Sequence, residues 1–279
     1  MLEKNFLGLT SRGFHRVGYT DWGRPERTPP VVCVHGLTRN SRDFDYLATA
    51  LEQDRRVVCP DIAGRGRSDW LADKQQYTFA TYCADMTALL ARVGGDSFDW
   101  VGTSMGGFIG MFLAAQPSTP IRRLVLNDAG AFVPKAAPQR ILDYVGIEHK
   151  FVSVAEAEAY LRTIYAPFGP MTDAQWAHLT KHSVRRRLAD RAYVLNYDPD
   201  IVAPMLSPQD LNLWPVWDEI RCPVLLLRGA ESDVLTPDIV DGMRNRGPKA
   251  EVVEFAGVGH APALRDPAQI EVIKRWLLA

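Results

Sequence analysis

Long hydrophobic runs are absent from this sequence. No uninterrupted apolar segment approaches the ~18 residues needed to span a bilayer, and Met1–Thr10 carries Glu3 and Asn5 where an export signal requires a continuous apolar stretch. A soluble, cytoplasmic protein with no membrane partner is therefore expected. An excess of charge of one sign is missing too: 32 basic residues face 33 acidic ones, for a formal net charge of -1. Such a balance creates no field to hold a polyanion, which argues against nucleic acid as a partner. Cysteine is sparse. Cys33, Cys59, Cys83 and Cys222 form no C-x-x-C pair, so metal and redox motifs of that kind are absent. The thiols are expected to behave as small apolar groups rather than as disulfides. Internal repeats and low-complexity tracts are also lacking.

What is present is an alternation of short apolar runs with amphipathic ones. Phe6 to Trp22 suits two antiparallel strands turning near Arg12-Gly13. Val31–Val34, Arg56–Cys59, Phe98–Val101, Ile121–Leu126, Val224–Leu227 and Glu251–Phe255 read as strands, the most apolar of them covered on both faces. Between them, Asp43–Leu51 (capped by Ser41), Thr78–Val93, Met105–Ala115, a segment from Pro237 and a last one opening at Pro267 have helical spacing. Parallel neighbours cannot be joined by tight hairpins, so this rhythm implies an α/β fold with a mostly parallel sheet and helices on both faces. The rhythm breaks from Phe132 to about Trp217, where no buried strand is legible and Ala155–Ile164 and Thr172–Leu188 read as helices. We expect a core formed by residues 1–131 and 218–279, interrupted by a helical cap over 132–217.

Gly102-Thr103-Ser104-Met105-Gly106 spells G-x-S-x-G between a strand and a helix. A serine raised on so sharp a turn needs small neighbours, and glycines at 102 and 106 supply them. Ser104 is the candidate nucleophile. A serine hydroxyl also needs a base within hydrogen-bond reach and a third group to orient that base. His260, in a loop after a strand, is the candidate base. Two aspartates follow buried strands at the carboxyl edge of the sheet, Asp233 and Asp128. Asp233 is preferred, because it follows the strand immediately before that of His260. For the oxyanion of acyl transfer, the backbone N–H of Met105 at a helix start and that of Leu37 after His35-Gly36 are the candidate donors. His35 is expected to bond within its loop.

Taken together, His35-Gly36, Asp61-Ile62-Ala63-Gly64-Arg65-Gly66-Arg67-Ser68, Gly102–Gly107, Arg228–Asp233 and Gly259-His260 resemble the α/β-hydrolase superfamily over nearly the whole chain. The resemblance implies an eight-stranded, mostly parallel sheet with an inserted helical lid, the order nucleophile, acid, histidine as Ser104, Asp233 and His260, and no cofactor or metal. Within the superfamily it lies nearest to lidded serine esterases and enol-lactonase-like enzymes. A small or medium carboxylic ester or lactone is the expected substrate, and a monomer or homodimer the expected state. Carbon-carbon bond hydrolysis, or cofactor-free perhydrolase or haloperoxidase chemistry, on the same triad is the alternative. A non-catalytic small-molecule receptor on this fold is the reading from another class. Arg39, beyond the oxyanion loop, could meet a substrate carboxylate, and the aromatic cap residues Trp176 and Tyr197 could line the pocket.

Overall fold

In the computed structural model, which describes residues 1–135, 145–205 and 209–279, the chain opens with a long antiparallel hairpin, β1 (Leu2–Thr10) and β2 (Gly13–Trp22). Then come β3 (Val31–Val34), α1 (Asp45–Leu51), β4 (Val57–Pro60), α2 (Phe79–Val93), β5 (Phe98–Thr103), α3 (Met105–Ala114) and β6 (Ile121–Asn127). After the insert, β12 (Val224–Gly229), α7 (Pro237–Asn245), β13 (Glu251–Phe255) and α8 (Pro267–Leu278) complete the core. The eight strands form one sheet in the order β1-β2-β4-β3-β5-β6-β12-β13, parallel from β4 to β13. Local chemistry fixes several ends. Thr78 caps α2 by accepting from the Thr81 N–H, Gly94 ends that helix, and Pro237 and Pro267 open α7 and α8. The Asp43–Leu51 expectation shifts: Asn40, not Ser41, is the cap, the first turn Ser41–Phe44 is a 3-10 helix, and α1 starts at Asp45.

The parallel strands bury both faces, and side chains divide by their period of two. Val31, Cys33, Val57, Cys59, Val101 and Val125 point to one side, where they pack under α1 and α8. Val32, Val34, Trp100, Leu124 and Leu126 point to the other, under α2, α3 and α7. All four cysteines are free, Cys33 and Cys59 fully buried among these residues.

Between β6 and β12 the chain leaves the sheet through β7 (Phe132–Val133) and returns through β11 (Leu211–Asn212), which pair antiparallel as a two-stranded stem. Above the stem lie α4 (Val154–Ile164) and α5 (Asp173–Ser183), and the short α6 (Trp214–Trp217) follows it on the way to β12. One expectation fails here. The second helix stops at Ser183 instead of Leu188, and β8 (Lys150–Phe151), β9 (Val184–Arg186) and β10 (Tyr193–Leu195) form a small sheet in the order β8-β10-β9. Three consecutive arginines on one helical turn would repel. In the extended arrangement Arg187 binds Asp190 and Glu148 while Arg185 stacks over Trp70, 4.8 Å from its centroid. Among the described residues no helix is long and apolar enough to cross a membrane.

The nucleophile strand also carries a buried charge. Asp99 on β5, fully buried, accepts from Arg55 Nη2 at 2.9 Å and from Arg122 Nε and Nη2 at 3.0 and 2.6 Å. Removing one partner of such a pair leaves uncompensated charge in the interior. Asp99→Ala should lower unfolding free energy by about 3 kcal/mol, read as a reduced urea midpoint with unchanged slope. A midpoint equal to that of the parent would show the cluster to be energetically neutral.

Candidate active site

Ser104 occupies the turn between β5 and α3 at φ 50° and ψ −115°, a strained conformation for a residue with a side chain. The strain has a visible cause in the crowding around it. A Cβ at Gly102 would overlap the Gly106 carbonyl, and one at Gly106 would overlap the Val34 carbonyl of β3. Beneath the turn, fully buried Trp100 donates its indole N–H to the Gly106 carbonyl at 3.0 Å. The hydroxyl is thereby lifted to the carboxyl edge of the sheet.

His260, after β13, lies with Nε2 3.0 Å from Ser104 Oγ. Its Nδ1 lies 2.9 Å from Asp128 Oδ1, not from Asp233. A carboxylate can only accept, so Nδ1 carries the proton and Nε2 is left to accept from the serine hydroxyl. Asp128, fully buried at the end of β6, also accepts from the Gly229 N–H at 2.9 Å and the Ser232 hydroxyl at 2.6 Å. The preference for Asp233 is corrected by the direction of one turn. After β12 the chain folds back through Ser232 N to Gly229 O and Glu231 N to Val258 O, which turns Ser232 inward and leaves Asp233 exposed. The loop expected to supply the carboxylate supplies donors to Asp128 instead. β6 lies between β5 and β12, so Asp128 stands between the serine and histidine strands.

Asn127, one residue earlier, was not singled out by sequence reasoning. Its Nδ2 donates to Thr103 Oγ1 at 3.0 Å and to the Pro262 carbonyl at 2.9 Å, joining the serine strand to the histidine loop. The signal was available in the polar Asn127-Asp128 pair ending an otherwise apolar run.

The His35-Gly36-Leu37 loop, expected to serve the oxyanion, is held from beneath. His35, fully buried, donates from Nδ1 to the Gly36 carbonyl at 2.7 Å and accepts at Nε2 from the Ile62 N–H at 2.9 Å. The Gly36 carbonyl and the Leu37 N–H share one peptide plane, so this bond fixes where that N–H points. Met105 opens α3, where the first N–H groups have no intrahelical acceptor. A Cβ at Gly36 would come no closer than 3.8 Å to any atom, the nearest being Ser104 Cβ.

The substrate-binding expectations fare differently. Arg39 is buried. Its Nε and Nη2 clasp the Asp43 carboxylate at 2.8 and 2.6 Å, Nη1 reaches Ser183 Oγ at 2.7 Å, and the guanidinium lies over the Tyr165 ring. It ties core to insert, and with Thr103, Phe168 and Ala261 it lines a small cavity beside the serine and histidine loops. Trp176 is buried in α5 beneath the Arg162 guanidinium, and Tyr197 is buried where the insert bridges to the backbone of Arg65. The insert touches three loops around the site: Tyr165 Oη lies 2.9 Å from Thr38 Oγ1, the Pro167 carbonyl accepts from the Gly259 N–H at 2.7 Å, and the Asn196 carbonyl accepts from the Gly66 N–H at 3.0 Å.

Asp45, His178 and His182 bring potential metal-binding atoms within 4.8 Å of one another. Two of the three are already engaged, His178 Nε2 with Asp45 at 2.8 Å, His178 Nδ1 with Arg265 at 3.2 Å, and Asp45 with Arg42 as well, while the His182 ring packs against that of His178. The cluster fastens α5 to the core.

A strained serine, a histidine and a buried carboxylate in hydrogen-bond sequence on a mostly parallel sheet define the hydrolase class. The model of the alpha/beta hydrolase fold matches residues 29–267, and the chain belongs to that family and is an enzyme of it. It is 43% identical over 277 residues, 96% of this chain and 94% of the relative, to the 3-hydroxybutyrate-oligomer hydrolase of Cupriavidus necator. It is 28% identical, over 92% of this chain and 82% of the relative, to a cis-3-alkyl-4-alkyloxetan-2-one decarboxylase of Shewanella oneidensis. Among solved structures, an alpha/beta hydrolase from Novosphingobium aromaticivorans superposes with a TM-score of 0.87 at 36% identity, covering 99% of this chain and 98% of the other.

Two outcomes follow from this geometry. Gly106→Ala must displace β3 or the elbow and should destabilise the fold by roughly 2–3 kcal/mol, whereas Gly36→Ala should leave the thermal midpoint unchanged; equal losses in the two would remove the close-approach argument. Burial pushes the His35 imidazole down to about 4. The neutral form is thus favoured by folding, and its stabilisation is complete above the ordinary histidine pKa of about 6.5 and lost as pH falls toward 4. An NMR titration should find His35 neutral at pH 5.5; a protonated ring there would contradict it.

Proposed function

We propose that this chain is a serine hydrolase that cleaves a small or medium carboxylic ester through an acyl-enzyme on Ser104, with His260 as general base and acid and Asp128 as the group orienting it. The observation that carries this reading is the unbroken hydrogen-bond sequence from Ser104 Oγ to His260 to Asp128, at 3.0 and 2.9 Å. In the first half-reaction Ser104 Oγ attacks the ester carbonyl while Nε2 takes its proton. The tetrahedral oxyanion accepts from the N–H groups of Leu37 and Met105. The imidazolium then protonates the departing alcohol, and Asp128 stays ionised throughout, stabilising the charged ring. A water deprotonated by the same nitrogen releases the acid and restores the serine.

Residues 132–217 act in this reading as the cap that roofs the site. The likeness to a 3-hydroxybutyrate-oligomer hydrolase over almost the entire chain supports short oligomeric esters of a hydroxy acid as the substrate class. An ester of that kind is reached by the same acyl transfer, its leaving group being the hydroxyl of the next unit.

Turnover of p-nitrophenyl butyrate and release of monomer from 3-hydroxybutyrate dimer and trimer test the proposal. Ser104→Ala should lower kcat by roughly 10⁴–10⁶, and turnover surviving that change would overturn the mechanism. Asp128→Asn should cost about 10³–10⁴ in kcat while Asp233→Asn stays within about threefold of the parent. The reverse order would restore Asp233 as the orienting acid. Hydrolysis of p-nitrophenyl butyrate without any action on the oligomers would keep the mechanism and reject the substrate class.

A further inference from the structure

We propose that Arg65 is a positioning residue for the oxyanion hole, its buried guanidinium holding the Leu37 loop and Met105 in one fixed arrangement; the inference rests on the serine-hydrolase reading above. Arg65 lies in the glycine-flanked turn after β4 and is fully buried. Its Nε donates to the Leu37 carbonyl at 2.8 Å. Nη1 donates to the Ala63 carbonyl at 2.7 Å and to the Tyr82 hydroxyl at 2.8 Å, and Nη2 lies 3.7 Å from Met105 Sδ. The guanidinium also packs over the rings of Tyr82 and Tyr77, at 5.2 and 5.6 Å from their centroids. Among the described residues it forms no ion pair with a carboxylate.

A guanidinium is a costly way to fill a core, because its charge loses water on burial. This one is directed at the two residues whose N–H groups form the proposed hole. His35 orients the Leu37 N–H through the Gly36 carbonyl, on one side of Leu37. Arg65 takes the Leu37 carbonyl on the other side, so the residue is pinned at both of its peptide planes. The contact with the Met105 side chain links that loop to the first turn of α3. A positive charge so placed, in a region with little water to screen it, also favours the negative charge that develops on the substrate oxygen. The planar fork reaches all these partners at once, which an ammonium cannot do. The backbone of Arg65 meanwhile bridges to Tyr197 of the insert, so the same residue joins the roof to the oxyanion loop.

The test uses Arg65→Lys and Arg65→Gln in the full chain, with p-nitrophenyl butyrate as substrate and the number of active sites fixed by burst titration. The expected result is a kcat per site lowered roughly 10- to 100-fold with KM within about threefold of the parent. A boronic acid that mimics the tetrahedral adduct should weaken by the same factor as kcat, while inhibition by the product butyrate stays unchanged. A kcat per site within about twofold of the parent, or a loss confined to KM, would overturn the proposal. Should both variants fail to fold, Tyr82→Phe removes one anchor and leaves the guanidinium in place. A several-fold drop in kcat at constant KM then supports the role, and an unchanged kcat overturns it. A parent with no Ser104-dependent turnover would instead bring down the hydrolase reading itself, and this inference with it.

Discussion

The buried carboxylate of Asp128 is the interaction on which the site depends. Withdrawn fully from water, it is satisfied by an imidazole, a hydroxyl and a backbone N–H drawn from two segments remote from it in sequence. An ionised group in the interior tolerates few arrangements, because each missing donor costs more there than at the surface. The ends of β6, β12 and β13 are therefore bound to one relative position. The orientation of the histidine is a consequence of that tie, and the serine meets it because β5 is the next strand along.

The second constraint is steric. The serine turn presses against β3 at Gly106 and closes on itself at Gly102, so that glycine is required at both positions, and the strained backbone of Ser104 is sustained by the sheet beneath it. Electrostatics and crowding thus act on opposite sides of the same few residues. One draws His260 toward Ser104, and the other holds Ser104 where the imidazole reaches it.

Much of this was legible from residue order. Strands such as Val31–Val34 and Val224–Leu227 announce themselves because burial on both faces leaves no room for polar alternation, and the G-x-S-x-G turn because its geometry admits so few residues. His260 stands out by its place in a glycine-flanked loop after a strand, and the fold sets its ring against Ser104. Asp128 could not be preferred over Asp233, since both follow buried strands and the decision lies in which way a five-residue turn points its side chains. Arg39 is hard to place from sequence for a different reason: Asp43, four residues on, is visible there as its natural partner, yet only the fold shows the buried guanidinium bonded to α5 through Ser183 as well. The small sheet of the insert was hidden because two- and three-residue strands have no periodicity to detect, and their pairing is decided by contacts distant in sequence.

The stem formed by β7 and β11 carries a consequence for how such an enzyme can change. Because the chain departs from the sheet and rejoins it at paired positions, everything above the stem is topologically an appendix. The order and register of the eight-stranded sheet below it are set by pairings in which the insert takes no part. The eight-stranded sheet and the segment above the stem are thereby separable portions of one chain, joined at a single pair of short strands.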